Sequence, residues 1–514
     1  MNGELQCDVL VAGGGINGVA IARDAAGRGL RTILCEREDL ASYTSSASTK
    51  LIHGGLRYLE HGDIRLVRKA LRERELLLRV APHLVRPLRL VLVHDPSMRP
   101  AWMLRCGLWL YDLLAGRSML PRSRRVDLTM HPAGRQLKAG FRTGFEFSDA
   151  WTDDARLVAT TAIDAFERGA GIFTRSRLVT ARREGSLWVA EAARQDGARL
   201  RVRARALVNA TGPWAARFLQ DVCGRESVRQ LRLIKGSHLV VRRRFGHDFA
   251  YLLQSSDRRI AFAIPFEDDF TLIGTTDVEV RQEPDAAAID AAEIEYLCNL
   301  GNRYFEQPIT PAEIAWTFSG VRPLLDDGAG PSELTRDYSL ELDQDQAPPL
   351  LTVWGGKVTT FRTLAEEAVG LLAPRLQCRQ EGWTDGAPLP GGDLAAGVDG
   401  VRAGATALED FVVSLKAQYR WMPPAMLRRM ARAYGSRVRA VIGSARELAD
   451  LGEPVADGLY EAELEHLVQR EWVQSADDAL WRRSKLGLHL SLVEHRRVAD
   501  WIARRVASHA KAPV

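Results

Sequence analysis

The apolar positions near the N-terminus follow first one spacing and then another. Residues 7–12 form a short, largely apolar run, which is typical of a strand buried in a parallel sheet. Residues 16–29 carry apolar side chains at helical spacing and end in glycine, and residues 30–36 form a second apolar run. This order predicts a strand, a helix and a second strand, the unit from which parallel α/β sheets are built.

Later segments predict more strands of two kinds. Residues 206–210 and 350–354 are short apolar runs that lead into glycine turns, as the first strand does. Residues 237–245, 259–266 and 270–280 read instead as strands separated by charged turns, which indicates an antiparallel sheet. The chain therefore combines a parallel and an antiparallel part.

The last quarter of the chain has another pattern. Residues 382–400 are rich in Gly, Pro and Asp, which predicts a linker. Residues 422–442 have helical spacing, and Pro423 and Pro424 suit a helix start. A helical C-terminal region is expected.

Composition limits the class of protein. With 514 residues, 46% apolar and 26% charged, the chain is expected to be a globular protein of two or three domains. No signal-peptide pattern opens it, and no run reaches the roughly 18 apolar residues of a spanning helix. The six cysteines form no CxxC pair, which favours reduced thiols in the cytosol. A net charge of +5 does not indicate nucleic acid, but it suits an anionic substrate or membrane surface.

The first glycine turn predicts a dinucleotide site. Gly13, Gly15 and Gly18 give G-x-G-x-x-G between the first strand and the helix, and Glu36 closes the second strand. Glycines let the turn approach a pyrophosphate, the helix N-terminus stabilises its charge, and the acid bonds a ribose hydroxyl. Glu36 argues against a ribose 2′-phosphate, so NAD or FAD is favoured over NADP.

Two further turns favour FAD over NAD. The strand that ends in Ala210, Thr211 and Gly212 resembles the second FAD signature of two-domain flavoproteins. The third turn, 355–357, precedes an amphipathic helix whose first N–H groups suit a flavin carbonyl. Three separated segments meeting on one dinucleotide predict bound FAD.

Longer motifs carry a family resemblance. The order of "GGGINGVAIARDAAGRG", "TSSASTKLIHGGLRYLEHGD", "NATGPW", "IKGSHLVV" and "GGKVTTFR" closely resembles the FAD-dependent glycerol-3-phosphate dehydrogenases. These are aerobic, respiratory enzymes of the D-amino-acid-oxidase-like superfamily. The likeness runs from residue 7 to about 370 and resumes over 460–490.

The resemblance implies an α/β fold with a Rossmann-like FAD-binding domain, an antiparallel-sheet substrate domain and a helical C-terminal domain. The expected bounds are 1–85, 150–222 and 345–380 for the FAD-binding domain, 86–149 and 223–344 for the substrate domain, and 385–514 for the C-terminal domain.

The resemblance also implies the reaction, oxidation of sn-glycerol 3-phosphate at carbon 2 to dihydroxyacetone phosphate. Arg322 and Arg336 would clamp the phosphate, since a guanidinium offers it two parallel hydrogen bonds. Arg57 and Tyr58 would face the substrate beside the flavin, and Lys357 would serve either the flavin or the substrate.

Two histidines are candidates for the base that takes the hydroxyl proton, His53 and His238. Histidine ionises near working pH, which suits proton abstraction. His53 is preferred because it lies in the densest motif, while His238 is the alternative or orients the substrate hydroxyl.

The expected cofactor contacts come from the dinucleotide turns and from the family resemblance, and no metal site is predicted. These residues are Gly13, Gly15, Ile16, Asn17, Gly18, Glu36, Ser45, Ser46, Thr49, Lys50, Leu51, Val179, Ala210, Thr211, Gly212, Gly356, Lys357, Val358, Thr359 and Thr360.

The electron acceptor is expected to be a membrane quinone, which requires a membrane-facing surface. The segment 99–125 is the candidate, because it joins an apolar body to a basic cluster suited to anionic lipid. The alternative is a buried helix followed by a solvated basic loop. The residues are Trp102, Leu104, Leu108, Trp109, Leu110 and Leu113 for the body, and Arg117, Arg122, Arg124 and Arg125 for the cluster.

This reading implies a cytoplasmic protein held peripherally on the inner (cytoplasmic) membrane, with a homodimer as one open option. Three rival functions stay open. They are an oxidase that reduces oxygen to peroxide, a relative that oxidises amines, and a non-catalytic flavin-binding protein.

Overall fold

The computed structural model describes most of the chain. The described residues are 4–227, 229–255, 257, 259–281, 283–326, 337–343, 348–396 and 404–510.

The strands of the described residues are numbered in chain order. They are β1 Glu4–Ala12, β2 Thr32–Cys35, β3 Leu51–Ile52, β4 Val85–Val93, β5 Arg124–Asp127, β6 Thr143–Thr152, β7 Gly171–Phe173, β8 Ser176–Glu184, β9 Leu187–Arg194, β10 Arg199–Asn209, β11 Leu231–Arg242, β12 Ala250–Gln254, β13 Ile260–Phe266, β14 Phe270–Gly274, β15 Val278–Glu279, β16 Ile314–Leu325, β17 Ser339–Leu342, β18 Leu350–Trp354, β19 Pro454–Ala456 and β20 Leu459–Tyr460.

The α-helices of the same residues are numbered likewise. They are α1 Ile16–Gly27, α2 Ile64–Val80, α3 Ala101–Ala115, α4 Asp154–Glu167, α5 Ala215–Asp221, α6 Ala291–Tyr304, α7 Phe361–Leu376, α8 Ala407–Gln418, α9 Pro424–Tyr434, α10 Val438–Ile442, α11 Glu461–Arg470 and α12 Leu492–Ala510.

One large sheet, here called the parallel sheet, has the order β17–β18–β10–β1–β2–β7, and β9 and β8 extend it from β10. Strands β18, β10, β1, β2 and β7 run parallel, while β17 and β9 pair antiparallel to their neighbours. Because side chains alternate along a strand, Val9 and Val11 pack with α1, α4 and α7 on one face. Leu10 and Ala12 pack on the other face against Trp188.

The second large sheet, the antiparallel sheet, has the order β15–β11–β14–β13–β12–β4–β6–β3. Strand β16 pairs with β11 and β5 with β6, and among the described strands of this sheet only β12 and β4 pair in parallel. Leu71 of α2 and Leu108 of α3 pack with Phe147 on one face. Leu297 of α6 packs with Leu239 on the other face.

The C-terminal helical domain, α8 to α12, encloses its own apolar core. Phe411, Leu427, Leu464, Val498 and Ile502 are all buried in it. Two sheets and a separate helical unit confirm the predicted fold class, while the predicted domain bounds stay predictions.

The described part of the predicted linker is packed against the parallel-sheet half of the molecule. The Trp383 indole donates a 3.2 Å hydrogen bond to the Asp24 carbonyl, and the Arg168 guanidinium lies 3.8 Å from the Trp383 ring centroid. Residues 382–396 are therefore anchored by a large side chain that the Gly- and Pro-rich composition obscured.

One predicted strand is broken. Residues 270–280 were expected to form a single strand, but β14 ends at Gly274 and β15 begins at Val278. The break frees Thr275 and Asp277 to turn toward Arg322 on β16, with which both form polar contacts. The interruption thus belongs to the site described next.

Candidate active site

A cavity of about 700 Å³ is lined by residues of both large sheets. Ala12 and Cys35 reach it from the ends of β1 and β2, and His238 and Arg322 reach it from β11 and β16. The carboxyl ends of parallel strands are where α/β sheets bind ligands. The cavity therefore joins a nucleotide-binding position to a second wall of different chemistry.

The first glycine turn joins β1 to α1 at this cavity. Gly13 has a φ of 108°, and a Cβ there would lie 2.6 Å from the Ala210 carbonyl oxygen, so only glycine fits. A Cβ on Gly18 would lie 1.9 Å from the Gly13 oxygen. The absence of a side chain at Gly18 therefore lets α1 pack tightly on the turn. At Gly15 a Cβ would meet only the Ser45 side chain, at 3.0 Å. The N-terminus of α1 is thus open to an anion.

Glu36 lies at the end of β2 and lines the cavity. Its Oε2 accepts a 2.5 Å hydrogen bond from the Gly14 N–H, and its Oε1 accepts a 2.9 Å bond from the Glu38 N–H. Burial raises the pKa of Glu36, and the two backbone donors act against that shift. Each oxygen keeps a further lone pair for a hydroxyl donor.

The second and third glycine turns meet the first. Ala210, Thr211 and Gly212 line the cavity, and Gly212 has a φ of 60°. The Asn17 amide donates a 3.2 Å hydrogen bond to the Gly355 carbonyl. A Cβ on Gly356 would lie 2.5 Å from that amide nitrogen. The three turns predicted from separate stretches of sequence therefore converge on one site.

The segment 45–51 forms another part of the wall. The Ser45 hydroxyl accepts a 3.0 Å hydrogen bond from the Ile16 N–H, and Thr49 shares a 3.0 Å bond with the His238 ring. Leu51 lines the cavity from β3. The segment thus connects the start of α1 to the antiparallel sheet.

Lys50 and Ser46 do not line the cavity, and their contact with the cofactor stays a prediction. The Lys50 side chain is fully buried and donates to the Asp154 carboxylate at 2.7 Å and to the Ser46 carbonyl at 3.0 Å. The Ser46 hydroxyl donates to the Tyr43 carbonyl at 3.1 Å. Both side chains brace the segment from behind.

Three other residues that were expected to contact the cofactor also do not line the cavity. Gly18 packs on the glycine turn, Val179 lies at an irregularity in the β8–β9 pairing, and Thr360 is fully buried. The predicted residues that line the cavity are Gly13, Gly15, Ile16, Asn17, Glu36, Ser45, Thr49, Leu51, Ala210, Thr211, Gly212, Gly356, Lys357, Val358 and Thr359.

Arg322 is held rigidly at the other side of the cavity. Its Nη2 donates a 2.9 Å hydrogen bond to the Thr275 hydroxyl, and its Nη1 pairs with Asp277. A Cβ on Gly236, on the adjacent strand, would lie 2.1 Å from Nη2. A guanidinium fixed in this way presents a fork suited to a phosphate.

His238 is buried beside Arg322. Its ring stacks on Phe318 with centroids 4.7 Å apart, and its Nε2 bonds the Thr49 hydroxyl. Burial, together with the positive charges of Arg322 and Lys50, holds the pKa of His238 well below its ordinary value. His238 is therefore neutral at physiological pH.

His53, Arg57, Tyr58 and Lys357 line the cavity together. The His53 N–H donates a 3.3 Å hydrogen bond to the Thr359 hydroxyl, which ties the end of β3 to the third glycine turn. The Lys357 ammonium lies 3.9 Å from the Tyr58 ring centroid, a cation–π contact. With Arg57 and Arg322, these side chains make the wall attractive to an anion.

The described residues fit FAD. The glycine turn, the open start of α1 and the Glu36 carboxylate suit the adenosine and pyrophosphate parts. The segment 45–51 and the turn 355–359 bring hydroxyl and backbone groups to the place between the two sheets. No group of three or more His, Cys, Asp or Glu side chains suited to a metal occurs in the part of the chain that the structure describes.

Comparisons with known proteins agree with this geometry. The family described as FAD dependent oxidoreductase matches residues 8–360. The C-terminal domain of alpha-glycerophosphate oxidase matches residues 383–511. The chain belongs to the FAD-dependent oxidoreductase family.

Full-length relatives are also similar to this FAD-dependent oxidoreductase. A glycerol-3-phosphate dehydrogenase of Pseudomonas aeruginosa is 50% identical, over 96% of this chain and 94% of its own. A D-erythritol 1-phosphate dehydrogenase of Brucella abortus is 46% identical, over 96% and 97%. The structure of the glycerol-3-phosphate dehydrogenase of Bacillus halodurans complexed with FAD aligns with a TM-score of 0.78 at 25% identity, covering 98% of this chain and 91% of its own. FAD is the cofactor of this oxidoreductase.

Some residues of the site were missed from the sequence. Thr275 and Asp277 hold Arg322, yet they were read as part of a strand. Gly236 makes room for that guanidinium, and Phe318 supports His238. The glycine and threonine residues in "KGSH" (235–238) and "IGTTD" (273–277) were the sequence features that could have indicated these roles. Arg336, the second expected phosphate ligand, lies outside the described residues.

The candidate membrane segment has two different faces. Leu104 and Leu108 of α3 are buried in the antiparallel-sheet core, and Leu110 is half-buried. Trp102 is 70% exposed and Trp109 is 65% exposed, and Leu113, Arg117, Arg122, Arg124 and Arg125 are exposed as well. None of the helices in the described ranges has the length and apolar content that crossing a bilayer requires.

Proposed function

We propose that this FAD-dependent oxidoreductase converts sn-glycerol 3-phosphate to dihydroxyacetone phosphate. The observation that carries the proposal is Arg322, whose guanidinium Thr275 and Asp277 hold in the same cavity as the dinucleotide turns. The names of the relatives from Pseudomonas aeruginosa and Bacillus halodurans support the same substrate. A phosphorylated alcohol is the small anion that this combination suits.

In this proposal, the cationic side chains bind and orient the substrate. Arg322 takes the phosphate through its planar fork, and Arg57 and Lys357 add positive charge to the same wall. Fixing the phosphate holds carbon 2 in one position. Orientation of this kind can remove roughly 7–11 kcal/mol of an activation barrier, and the phosphate contacts would supply several kcal/mol of that. FAD, when bound, supplies the hydride acceptor for the carbon.

The hydroxyl proton goes to His53. Its ring lies on the cavity wall and is less buried than that of His238. The pKa of His238 lies well below its ordinary value, and its Nε2 is hydrogen-bonded to the Thr49 hydroxyl. In this proposal His238 therefore holds the cavity wall in place and takes no proton. Arg336 stays a proposed second phosphate ligand on the family resemblance alone.

The test is to mix the purified holoprotein with sn-glycerol 3-phosphate without oxygen and follow the visible flavin absorbance. Rapid bleaching is expected, and unphosphorylated glycerol at the same concentration should bleach poorly. Dihydroxyacetone phosphate should form in an amount equal to the flavin. A protein with full FAD occupancy that stays yellow would contradict the proposal.

D-erythritol 1-phosphate is a second candidate substrate, because the relative from Brucella abortus named for it is 46% identical over nearly the whole chain. The same phosphate clamp would serve both compounds, which differ in the length of the alcohol. The ratio of kcat/KM for the two substrates decides between them. We expect it to favour sn-glycerol 3-phosphate.

We propose a membrane quinone as electron acceptor and an anionic membrane as the docking surface. The exposed Trp102 and Trp109 on α3 support this, together with the exposed Arg122 and Arg125 of the segment that follows the helix. A cavity of about 170 Å³ beside them is lined by Arg105, Trp109 and Arg122 among others. This docking would hold the protein peripherally on the cytoplasmic face of the inner membrane, while a homodimer stays an open proposal.

The rival acceptor is oxygen, which the name of the C-terminal domain family favours. Turnover with a quinone analogue in lipid vesicles should be fast. Oxygen uptake with substrate alone should be slow. The reverse result would assign the protein as an oxidase and remove the need for a membrane surface.

A further inference from the structure

The C-terminal helical domain binds the carboxylate of Asp39, a residue of the parallel-sheet half of the molecule, in a buried cluster of ion pairs. Arg483 Nη1 and Nη2 donate to the two Asp39 oxygens, each at 2.7 Å, a bidentate pair. Arg482 Nε donates to the same carboxylate at 2.7 Å. Arg483 and Asp39 are each 1% exposed. The contact is therefore shielded from water and from salt.

Asp39 belongs to a loop that forms part of the cavity wall, residues 36–45, here called the cofactor loop. Seven of its side chains line the cavity: Glu36, Arg37, Ala41, Ser42, Tyr43, Thr44 and Ser45. Asp39 faces away from the cavity and toward the C-terminal domain. The cofactor loop thus has a ligand face and an anchored face.

The anchored face is linked directly to the first glycine turn. Ala41, which follows Asp39 by two residues and has a φ of 59°, donates a 3.2 Å hydrogen bond from its N–H to the Gly14 carbonyl. A Cβ on Gly14 would lie 3.0 Å from the Leu40 side chain. The Ser42 hydroxyl donates to the Asp39 carbonyl at 2.8 Å. A shift of Asp39 would therefore move the groups that shape the dinucleotide site.

A second connection runs through Arg175. Its N–H donates to the Glu38 carbonyl at 2.8 Å, and its Nη2 donates to Asp478 of the C-terminal domain at 2.7 Å. Asp478 also pairs with Arg482. Two adjacent residues of the cofactor loop, Glu38 and Asp39, are in this way tied to the same segment of the C-terminal domain.

The segment that carries Arg483 is itself fixed. Arg483 Nη2 donates to the Glu471 carbonyl at 2.6 Å, and the Glu471 carboxylate pairs with Arg156 of α4. Burial alone would raise the pKa of Glu471, but Arg156 and His466 lower it to about 2. The Glu471 carboxylate therefore stays charged over the working pH range.

We propose that Arg482 and Arg483 are positioning residues for FAD, so that the C-terminal helical domain sets part of the affinity for the cofactor. They act through Asp39 and the cofactor loop, and they touch neither the cofactor site nor the substrate. The inference does not rest on the identity of the substrate or of the electron acceptor.

The test compares two arginines of the C-terminal domain that each pair with a carboxylate, the buried Arg483 and the half-buried Arg429. Arg483→Met removes the pair that reaches the cofactor loop. Arg429→Met is the matched control, since Arg429 pairs at 2.6 and 2.7 Å with Glu463 inside the C-terminal domain. Each apoprotein is titrated with FAD, and Kd is read from the quenching of flavin fluorescence. We expect Arg483→Met to raise Kd for FAD about 10-fold or more, within the ordinary range of coupling between sites, and Arg429→Met to leave it within about twofold.

Further variants separate positioning from general damage. Asp39→Asn should raise Kd as Arg483→Met does, and the double variant should be no worse than either single one. Arg483→Lys should restore part of the affinity. If Arg483→Met does not fold, Arg482→Met removes a single bond to Asp39 and should give a smaller rise.

Two results would overturn the proposal. One is a Kd for FAD that is unchanged in Arg483→Met or, where that variant is not obtained, in Arg482→Met. The other is an equal rise in Arg483→Met and Arg429→Met, which would mean that any loss of C-terminal packing weakens FAD binding.

Discussion

His238 Nε2 and the Thr49 hydroxyl lie 3.0 Å apart, and their hydrogen bond joins the antiparallel sheet to the segment that borders the cofactor site. His238 is 1% exposed, stacked on Phe318 and held neutral by its surroundings. A histidine bound in this way is a fixed part of the wall. The other candidate, His53, lies at the end of β3 with its ring at the cavity, so the two histidines have different settings although each lies within two residues of a glycine.

The two histidines should therefore respond differently to replacement. His53→Gln should lower kcat by about 10²–10⁴, the usual contribution of a general base, and should remove the loss of activity that we expect on acidification. The sign follows because a base is inactive once protonated. The measurement is kcat for sn-glycerol 3-phosphate from pH 5.5 to 9, and FAD content serves as the control.

His238→Gln should lower kcat less and should keep the shape of that pH profile. We expect this because burial and the charges of Arg322 and Lys50 hold the pKa of His238 well below its ordinary value, which favours the neutral ring. Should the acid limb vanish in His238→Gln and persist in His53→Gln, the two roles are exchanged.

Much of the fold and of the cofactor site was readable from the sequence, for a physical reason. Dinucleotide binding needs glycines at positions where a Cβ would collide, as at Gly13 and Gly18, so the pattern is nearly obligatory. Roles that depend on which face a side chain takes were not readable. Lys50 and Leu108 illustrate this: both lie in the expected segments, yet one pairs with Asp154 and the other packs in the core.

Contacts between distant segments were also beyond the sequence. Gly274 could indicate a break in the strand, but nothing in the local pattern indicates that Thr275 and Asp277 then turn toward Arg322. Nothing near Asp39 points to Arg483, which lies far along the chain. Such pairs depend on tertiary packing, which spacing alone does not encode.

Arg322→Lys should weaken kcat/KM for sn-glycerol 3-phosphate by about 10- to 100-fold, through a higher KM and a lower kcat. Lysine offers a point charge in place of the fork that Thr275 and Asp277 orient, and a lost charge-assisted hydrogen bond costs about 1.5–3 kcal/mol. Steady-state kinetics on protein with full FAD occupancy provide the measurement.

Gly236→Ala tests the same group without changing its charge. The new Cβ would lie 2.1 Å from Arg322 Nη2 and must displace it. We expect kcat/KM to fall in the same direction as in Arg322→Lys. If both variants match the parent, Arg322 does not contact the substrate.

Gly15→Val should abolish FAD binding. A side chain there would stand at the N-terminus of α1, where a Cβ already lies 3.0 Å from the Ser45 hydroxyl, and would exclude the pyrophosphate. The readout is the ratio of visible flavin absorbance to protein absorbance after purification. Gly370→Val is the control, because a Cβ at that exposed position of α7 meets nothing within 4 Å. Stoichiometric flavin in Gly15→Val would refute the assignment of this turn.

Lys50→Met should destabilise the protein by about 3–5 kcal/mol, the usual cost of leaving one partner of a buried ion pair unpaired. Asp154, also fully buried, would lose its 2.7 Å partner. The free energy of unfolding is measured in denaturant with saturating FAD. Adding Asp154→Asn should recover part of the loss, since no buried charge then remains. A Lys50→Met protein as stable as the parent would show that the pair contributes little.

The last prediction concerns the exposed face of α3. Trp102 is 70% exposed and Trp109 is 65% exposed, whereas Leu108 is 2% exposed and contributes to the core instead of to a membrane contact. If this face enters anionic lipid, Trp102→Ser with Trp109→Ser should reduce sedimentation with vesicles at high salt, where apolar insertion is what remains.

The basic residues that follow α3 should contribute to vesicle binding mainly at low salt, in contrast to the tryptophans. Each arginine at an anionic surface contributes about 1 kcal/mol, and ions screen this within about 8–10 Å at physiological strength. Arg122→Gln with Arg125→Gln should therefore lower vesicle binding mainly at low salt. Arg124 is left in place because its Nε pairs with Glu146 at 2.7 Å.

The matched control is Arg375→Gln with Arg379→Gln, which removes the same charge from exposed positions at the end of α7. Quinone reduction should fall together with vesicle binding in the α3 variants, and bleaching of the flavin by substrate should not change, because Arg122 and Trp109 do not line the active-site cavity. Lost bleaching would mean that α3 supports the fold of the substrate site. Vesicle binding that falls equally in the control would mean that net charge, and not this face, brings the protein to the lipid.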